Sequence, residues 1–344
     1  MKIRKEDLSL NEFQQSAQFR VDLRPDRRHF SRIGAGFLIY NLLATGFLMT
    51  ALTLVRMSGW NYLPYAMEVN RVLSFACMYL LAFPITVWYF RMIPKFGSVR
   101  NEKWEFSAWV VVFLIGTALA YLGNIVGNLV TEFFNVHSGN YQGLMDMIQD
   151  GNMFLTFLTV VIGAPIVEEL LFRKFLIDRV IGYGEKFSVL LSGILFGLMH
   201  GNLNQFFYAF ALGCLFAYIY CKTGEIRNTI FFHMLINLGG GVIVPLLMRP
   251  LGDFLAGGHL SIMESVSRLT ENPLQLLSLL LLEGYAIVQL LAALAGLILF
   301  FVFKKYIRFY PGIRRLSSEQ LISAAVVNGG MAAFLILCLV TFLS

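Results

Sequence analysis

The chain has 344 residues, 57% of them hydrophobic and 14% charged, and its mean hydropathy is +0.68. A soluble domain carries about a quarter charged residues, so this composition excludes soluble and disordered classes and indicates an all-α polytopic membrane helical bundle. The net charge of +6 is then no sign of a nucleic-acid partner, and no nucleic acid is expected; what matters is which loops hold the basic residues.

In chain order, residues 1–32 are polar and basic and read as a cytoplasmic N-terminal tail, with no removable signal peptide; the first apolar run begins at Ile33. A span needs about 20 mostly apolar residues. Candidate spans are 33–55, 72–90, 106–131, 153–172, 187–203, 205–221, 228–248, 283–303 and 321–343, about nine transmembrane helices within one domain, 33–344. The fifth and sixth are separated only by GNLNQ and read as a tight hairpin. The apolar run 274–282 either lies along the interface or extends the eighth helix. Trp60 and Tyr62, and Trp88 and Tyr89, suit interfacial belts. Lys and Arg concentrate in the tail and in every second loop, while 132–152 has none. By the positive-inside rule this places the N-terminus in the cytoplasm and, with nine crossings, the C-terminus outside, in the plasma membrane of a prokaryote. Cys77, Cys214, Cys221 and Cys338 lack paired metal spacing and read as packing residues.

Ionisable groups are costly in hydrocarbon and usually mark function there. Glu168, Glu169 and Arg173 lie in PIVEELLFRKF, His200 in ILFGLMHGN, and His233 with Asn237 in TIFFHMLINL. Glu169 and Arg173 are i,i+4 and can pair, which leaves Glu168, about 100° around the helix, free to act as a general base. Pro165 loosens the helix beside them. Phe196 and His200 share a face, as do His233 and Asn237, which can each donate to a developing oxyanion. Each motif alone has a bland explanation: a stop-transfer end, a core histidine, helix–helix hydrogen bonding. Their conjunction supplies an acid, a base and an oxyanion clamp. Depths agree if the fourth helix continues past Arg173 toward Val180, with Lys174 and Asp178 paired. From chemistry alone, Glu168, His200 and His233 could also ligate zinc, with water at the fourth position; Asn237 is a poor zinc ligand and leans toward the oxyanion role. There is no HExxH helix, Ser192-Gly193 lacks the rhomboid-type glycine, and no GxGD occurs.

With EELLFR at 168–173, FGLMH at 196–200 and HMLIN at 233–237, the chain resembles the CAAX prenyl endopeptidase and bacteriocin-processing (CPBP, or Abi) family of intramembrane proteases, over about 150–245. The resemblance implies a glutamate-dependent endopeptidase, often labelled a metalloprotease. Glu168 with His200 would activate water, His233 and Asn237 would hold the oxyanion, and Glu169 and Arg173 would maintain the site, with Phe196 in support. Zinc, if any, is the implied cofactor. The implied partners are the bilayer and a membrane protein, lipidated protein or leader peptide that enters laterally. Two rivals are a non-catalytic immunity or scaffold protein, which would be expected to have lost a motif residue, and a proton-coupled transporter, which predicts an internal repeat that is not found.

Overall fold

The computed structural model describes residues 21–59, 66–134, 152–252 and 271–343. The first twenty residues, Trp60, Tyr62 and most of the loops at 132–152 and 249–282 lie outside them. Among the described residues the elements are helical: α1 Arg24–Met57, α2 Glu68–Arg91, α3 Phe106–Phe133, α4 Met153–Tyr183, α5 Glu185–Met199, α6 Leu203–Thr223, α7 Ile226–Leu251, α8 Pro273–Tyr306, α9 Ser318–Val326 and α10 Gly329–Leu343. The all-α membrane bundle expected from composition is what the chain forms.

Several boundaries differ from the sequence expectation. α1 starts at Arg24, well before Ile33, because Pro25 suits a first helical turn and Asp26 and Phe30 are buried there. The end of the expected tail is therefore helix. α8 runs unbroken through Glu283-Gly284, so the 274–282 stretch extends it. α5 has 15 residues, about 22 Å at 1.5 Å per residue, too short for a hydrocarbon core of about 30 Å. It stops at His200-Gly201, where Gly201 adopts φ +68° and Asn202 caps the next helix by accepting from Gln205 N. The last span is broken: α9 and α10 meet at 74°. Asn328 makes the corner, its amide donating to the Ala324 and Ala325 carbonyls while its Oδ1 accepts from Met331 N. Thus seven described helices are long and apolar enough to cross, eight if the bent pair is one span. The count of nine stands only if the short α5 is included.

α4 lies at the centre, packed by α5, α6 and α7; α1 sits with α2 and α10 on one flank, and α3 lies between α6 and α8 on the other. In lipid, helices associate through close packing rather than apolar burial from water. Phe37 stacks on Phe172 of α4 at 5.2 Å, and Phe172 meets Phe196 of α5 edge-on at 5.1 Å. On the other flank Trp109 and Phe113 stack on Phe232. Gly123 lets α3 reach the α6 backbone at Tyr208, where any Cβ would collide with main-chain atoms. Gly123→Leu should therefore lower the detergent melting temperature by the equivalent of at least about 1–3 kcal/mol, the cost of overpacking. Gly46→Leu, facing open space, should leave it unchanged.

Candidate active site

α4 presents its acidic pair between two widened stretches. Phe157–Gly163 and Leu170–Ile177 have π-type hydrogen bonding, and Ala164–Glu169 between them is an α turn with Pro165 near its start. Such wide turns recur at functional sites. Their cause here is local. Ala164 N–H bonds the Thr159 carbonyl, so the next N–H would serve Val160, and Pro165 has none. The orphan Val160 carbonyl is satisfied from α7 instead, by Asn237 Nδ2 at 2.9 Å.

The two glutamates have different environments. Glu169 is fully buried. Arg173, also fully buried, reaches it from one turn on, with Nη2 donating to Oε1 at 3.1 Å and Nε 2.9 Å from Oε2 in an ionic contact. The third Arg173 contact is Nη1 to Ser192 Oγ on α5, 2.9 Å, and Ser192 in turn donates to the Phe172 carbonyl. The guanidinium lies 4.9 Å from the Phe196 ring centre, within cation–π range. His233 on α7 completes the group, its Nδ1 3.1 Å from Glu169 Oε1. A carboxylate accepts only, so Nδ1 carries the proton and Nε2 faces Glu168 Oε2 at 3.8 Å.

Glu168, with 26% of its side chain exposed against 0% for Glu169, opens onto a cavity of about 80 Å³. That is room for several waters. Tyr40, Tyr79, Phe172, Phe196 and His200 line it with Glu168. His200 Nδ1 is held by the Phe196 carbonyl at 2.9 Å, one turn back, which leaves Nε2 available. His200 thus shares the Glu168 cavity, as the FxxxH spacing on one face anticipates. The depth condition is met: α4 continues to Tyr183, with Lys174 Nζ 3.3 Å from Asp178.

Two expectations change. His233 and Asn237 do not converge on one point: the ring serves the glutamates, while Asn237 serves the Val160 carbonyl one turn along. Nor do Glu168, His200 and His233 converge as a zinc cage. Phe196 packs edge-on against both imidazoles, 4.9 Å from His200 and 5.7 Å from His233 by ring centres. Among the described residues no group of three His, Cys, Asp or Glu is placed to hold a metal.

Sequence reasoning missed Tyr40 on α1 and Tyr79 on α2, which wall the cavity from outside the motif-bearing segment. A tyrosine in an apolar span carries no motif signal. It also passed over Ser192, whose hydroxyl has a positioning role on Arg173.

The family comparison falls on the same helices. Residues 150–239 match the family described as "Type II CAAX prenyl endopeptidase Rce1-like". Over these helices the chain is similar to the CPBP family of membrane proteases. A Bacillus subtilis (strain 168) protein named "Putative membrane peptidase YdiL" is 27% identical over 172 residues, 48% of this chain and 67% of that protein. The "Membrane-embedded CAAX protease MroQ" of Staphylococcus aureus (strain USA300) is 26% identical over 169 residues, 44% of this chain and 63% of that protein. The likeness thus spans under half of this chain and about two thirds of each relative. No solved structure matches it. These similarities support a membrane protease of the CAAX type.

Removing Arg173 leaves the Glu169 charge buried without its partner, a change that costs roughly 3–5 kcal/mol. Arg173→Met should prevent accumulation of folded protein in detergent extracts. Adding Glu169→Leu should recover part of the melting temperature, because the pair is replaced by apolar volume.

Proposed function

We propose that this protein is an intramembrane endopeptidase that uses a glutamate-activated water. The observation that carries the reading is the division of labour between adjacent carboxylates. Glu169 is locked into a buried ion pair, while Glu168 meets His200 across a cavity large enough for water. Glu168 takes a proton from water, assisted by His200 Nε2, and the resulting hydroxide attacks the scissile carbonyl carbon. The proton then passes to the departing amine as the C–N bond breaks. His233 lies beside Glu168 with Glu169 behind it, so its Nε2 is directed at the reacting groups, where a proton on it can be donated to the oxyanion. Asn237, on the same α7 face, uses one amide hydrogen on Val160 and keeps the other for substrate. Glu169, Arg173 and Phe196 hold these groups in place.

The substrate in this reading is a membrane-associated or lipidated protein, or a leader peptide, cleaved at the bilayer edge; MroQ is named a CAAX protease. No step runs through a metal. Purified protein in nanodiscs, tested on a peptide library, should cleave. Glu168→Gln and His200→Ala should each lower kcat by about 10²–10⁴-fold with the melting temperature unchanged. Full activity in Glu168→Gln would overturn the assignment. Because the donors do not form a zinc cage, cleavage should survive prolonged chelation; loss on chelation with recovery on zinc addition would replace the water–glutamate step by a metal-bound one.

A further inference from the structure

A groove of about 870 Å³ opens on the flank of the bundle opposite α1, and it shares no lining residue with the Glu168 cavity. Its floor is the α5–α6 hairpin, at Val189, Phe210, Ala211 and Cys214; its walls are α3 and the end of α8. On α3 the lining runs from the helix start to Leu119, about 20 Å at 1.5 Å per residue, longer than half the hydrocarbon thickness of about 30 Å. Almost all of that length is aliphatic or aromatic.

The two ends of the groove differ. One end closes among apolar side chains. At the other, the start of α3 and the end of α8 come together, with Lys103 and Lys304 at the rim beside Trp104, Tyr218 and Tyr306. Lys304 lies 4.9 Å from the Phe301 ring centre, and neither lysine forms an ion pair with another described residue. Glu105 is the carboxylate among the lining residues and Glu102 accepts from the Trp104 indole beside them; with Lys305 and Arg308 following Lys304, cations outnumber carboxylates at this end. The same end of the bundle holds Arg100 and Lys222, but both are taken up by Glu185. Aromatic side chains at headgroup level, cations above them and an apolar slot below match one ligand: an anionic phospholipid, its phosphate between the lysines and its acyl chains along α3.

We propose that this groove is a binding site for an anionic phospholipid, which braces the α5–α6 hairpin from behind. The hairpin carries Ser192 and His200 as well, so the lipid groove and the hydrolytic cavity share α5. A lipid-bearing substrate chain is the competing occupant, and it differs in having no need for the lysine pair.

The test uses full-length protein in detergent, with bound lipid quantified by native mass spectrometry and stability by thermal melting. Phosphatidylglycerol should be retained at one molecule per chain and should raise the melting temperature more than phosphatidylcholine does. Lys103→Ala with Lys304→Ala should weaken retention of phosphatidylglycerol by roughly thirtyfold, two surface cations' worth, and erase the headgroup preference. Ala211→Phe, which fills the floor, should lose both lipids while the protein still folds. Equal retention of the two lipids by wild type, or retention untouched by Ala211→Phe, would overturn the proposal. So would displacement of phosphatidylglycerol from wild type by a stoichiometric farnesylated peptide, which would give the groove to a substrate chain instead. None of these readouts requires protease activity.

Discussion

The Glu169–Arg173 pair is the contact on which the arrangement of this protein depends. Two full charges are sunk in the middle of a bundle that is itself immersed in lipid. An ion pair in such a place is costly unless further partners satisfy most of its lone pairs and protons; here Arg173 Nε and Glu169 Oε2 meet in ionic contact only. The matching partners come from different helices: Ser192 from α5, His233 from α7, and the aromatic faces of Phe196 and Phe216 from α5 and α6. The pair therefore fixes the mutual rotation of four helices that apolar packing alone would leave free to slide. In a membrane, where burial of apolar side chains gives helices little reason to prefer one neighbour, a charge that must be satisfied supplies that preference.

The same pair separates the roles of two adjacent acids. Because Arg173 and His233 claim Glu169, the next carboxylate back, Glu168, lies about 100° around α4 and opens into the water-sized cavity. The wide turns on each side of Pro165 make that possible, since they shift which residues face which neighbour. Asn237 then compensates the backbone for the N–H that proline lacks. A residue expected to face substrate alone is thus also part of the helix's own hydrogen bonding, which ties the geometry of the site to the integrity of α4.

A second set of charges fastens the rim. Glu185 at the start of α5 accepts from Lys222 at 2.6 Å, from Arg100 at 3.2 Å and from the Tyr310 backbone N–H at 3.1 Å. Asp26 of α1 accepts from Tyr183 at the end of α4 and pairs with Arg314 at 2.8 Å. The segment after α8 is bound to the end of α4 as well, through Gly182 and Gly184. These contacts close the basic end of the bundle around the centre without touching the cavity. They leave Lys103 and Lys304, which line the groove, outside the ion pairs of that end.

The sequence by itself determined the membrane class, the existence of most helices, and the identity of the motif residues, because those follow from apolar run lengths and from the rarity of ionisable groups in such runs. The i,i+4 relations of Glu169 with Arg173 and of Phe196 with His200 were legible for the same reason: they are local and depend only on helical pitch. What lay beyond the sequence was where three helices meet. Only the tertiary structure packed Phe196 against His233 as well as His200, turned Asn237 onto Val160, brought Tyr40 and Tyr79 from α1 and α2 to the cavity, and bent the final span at Asn328. Each is a contact between segments far apart in the chain, where sequence spacing carries no distance. The shortness of α5 belongs to the same class. Its apolar run reads long enough to cross, but the turn at His200 is set by Gly201 and the Asn202 cap against α6, and that turn delivers the histidine to the cavity.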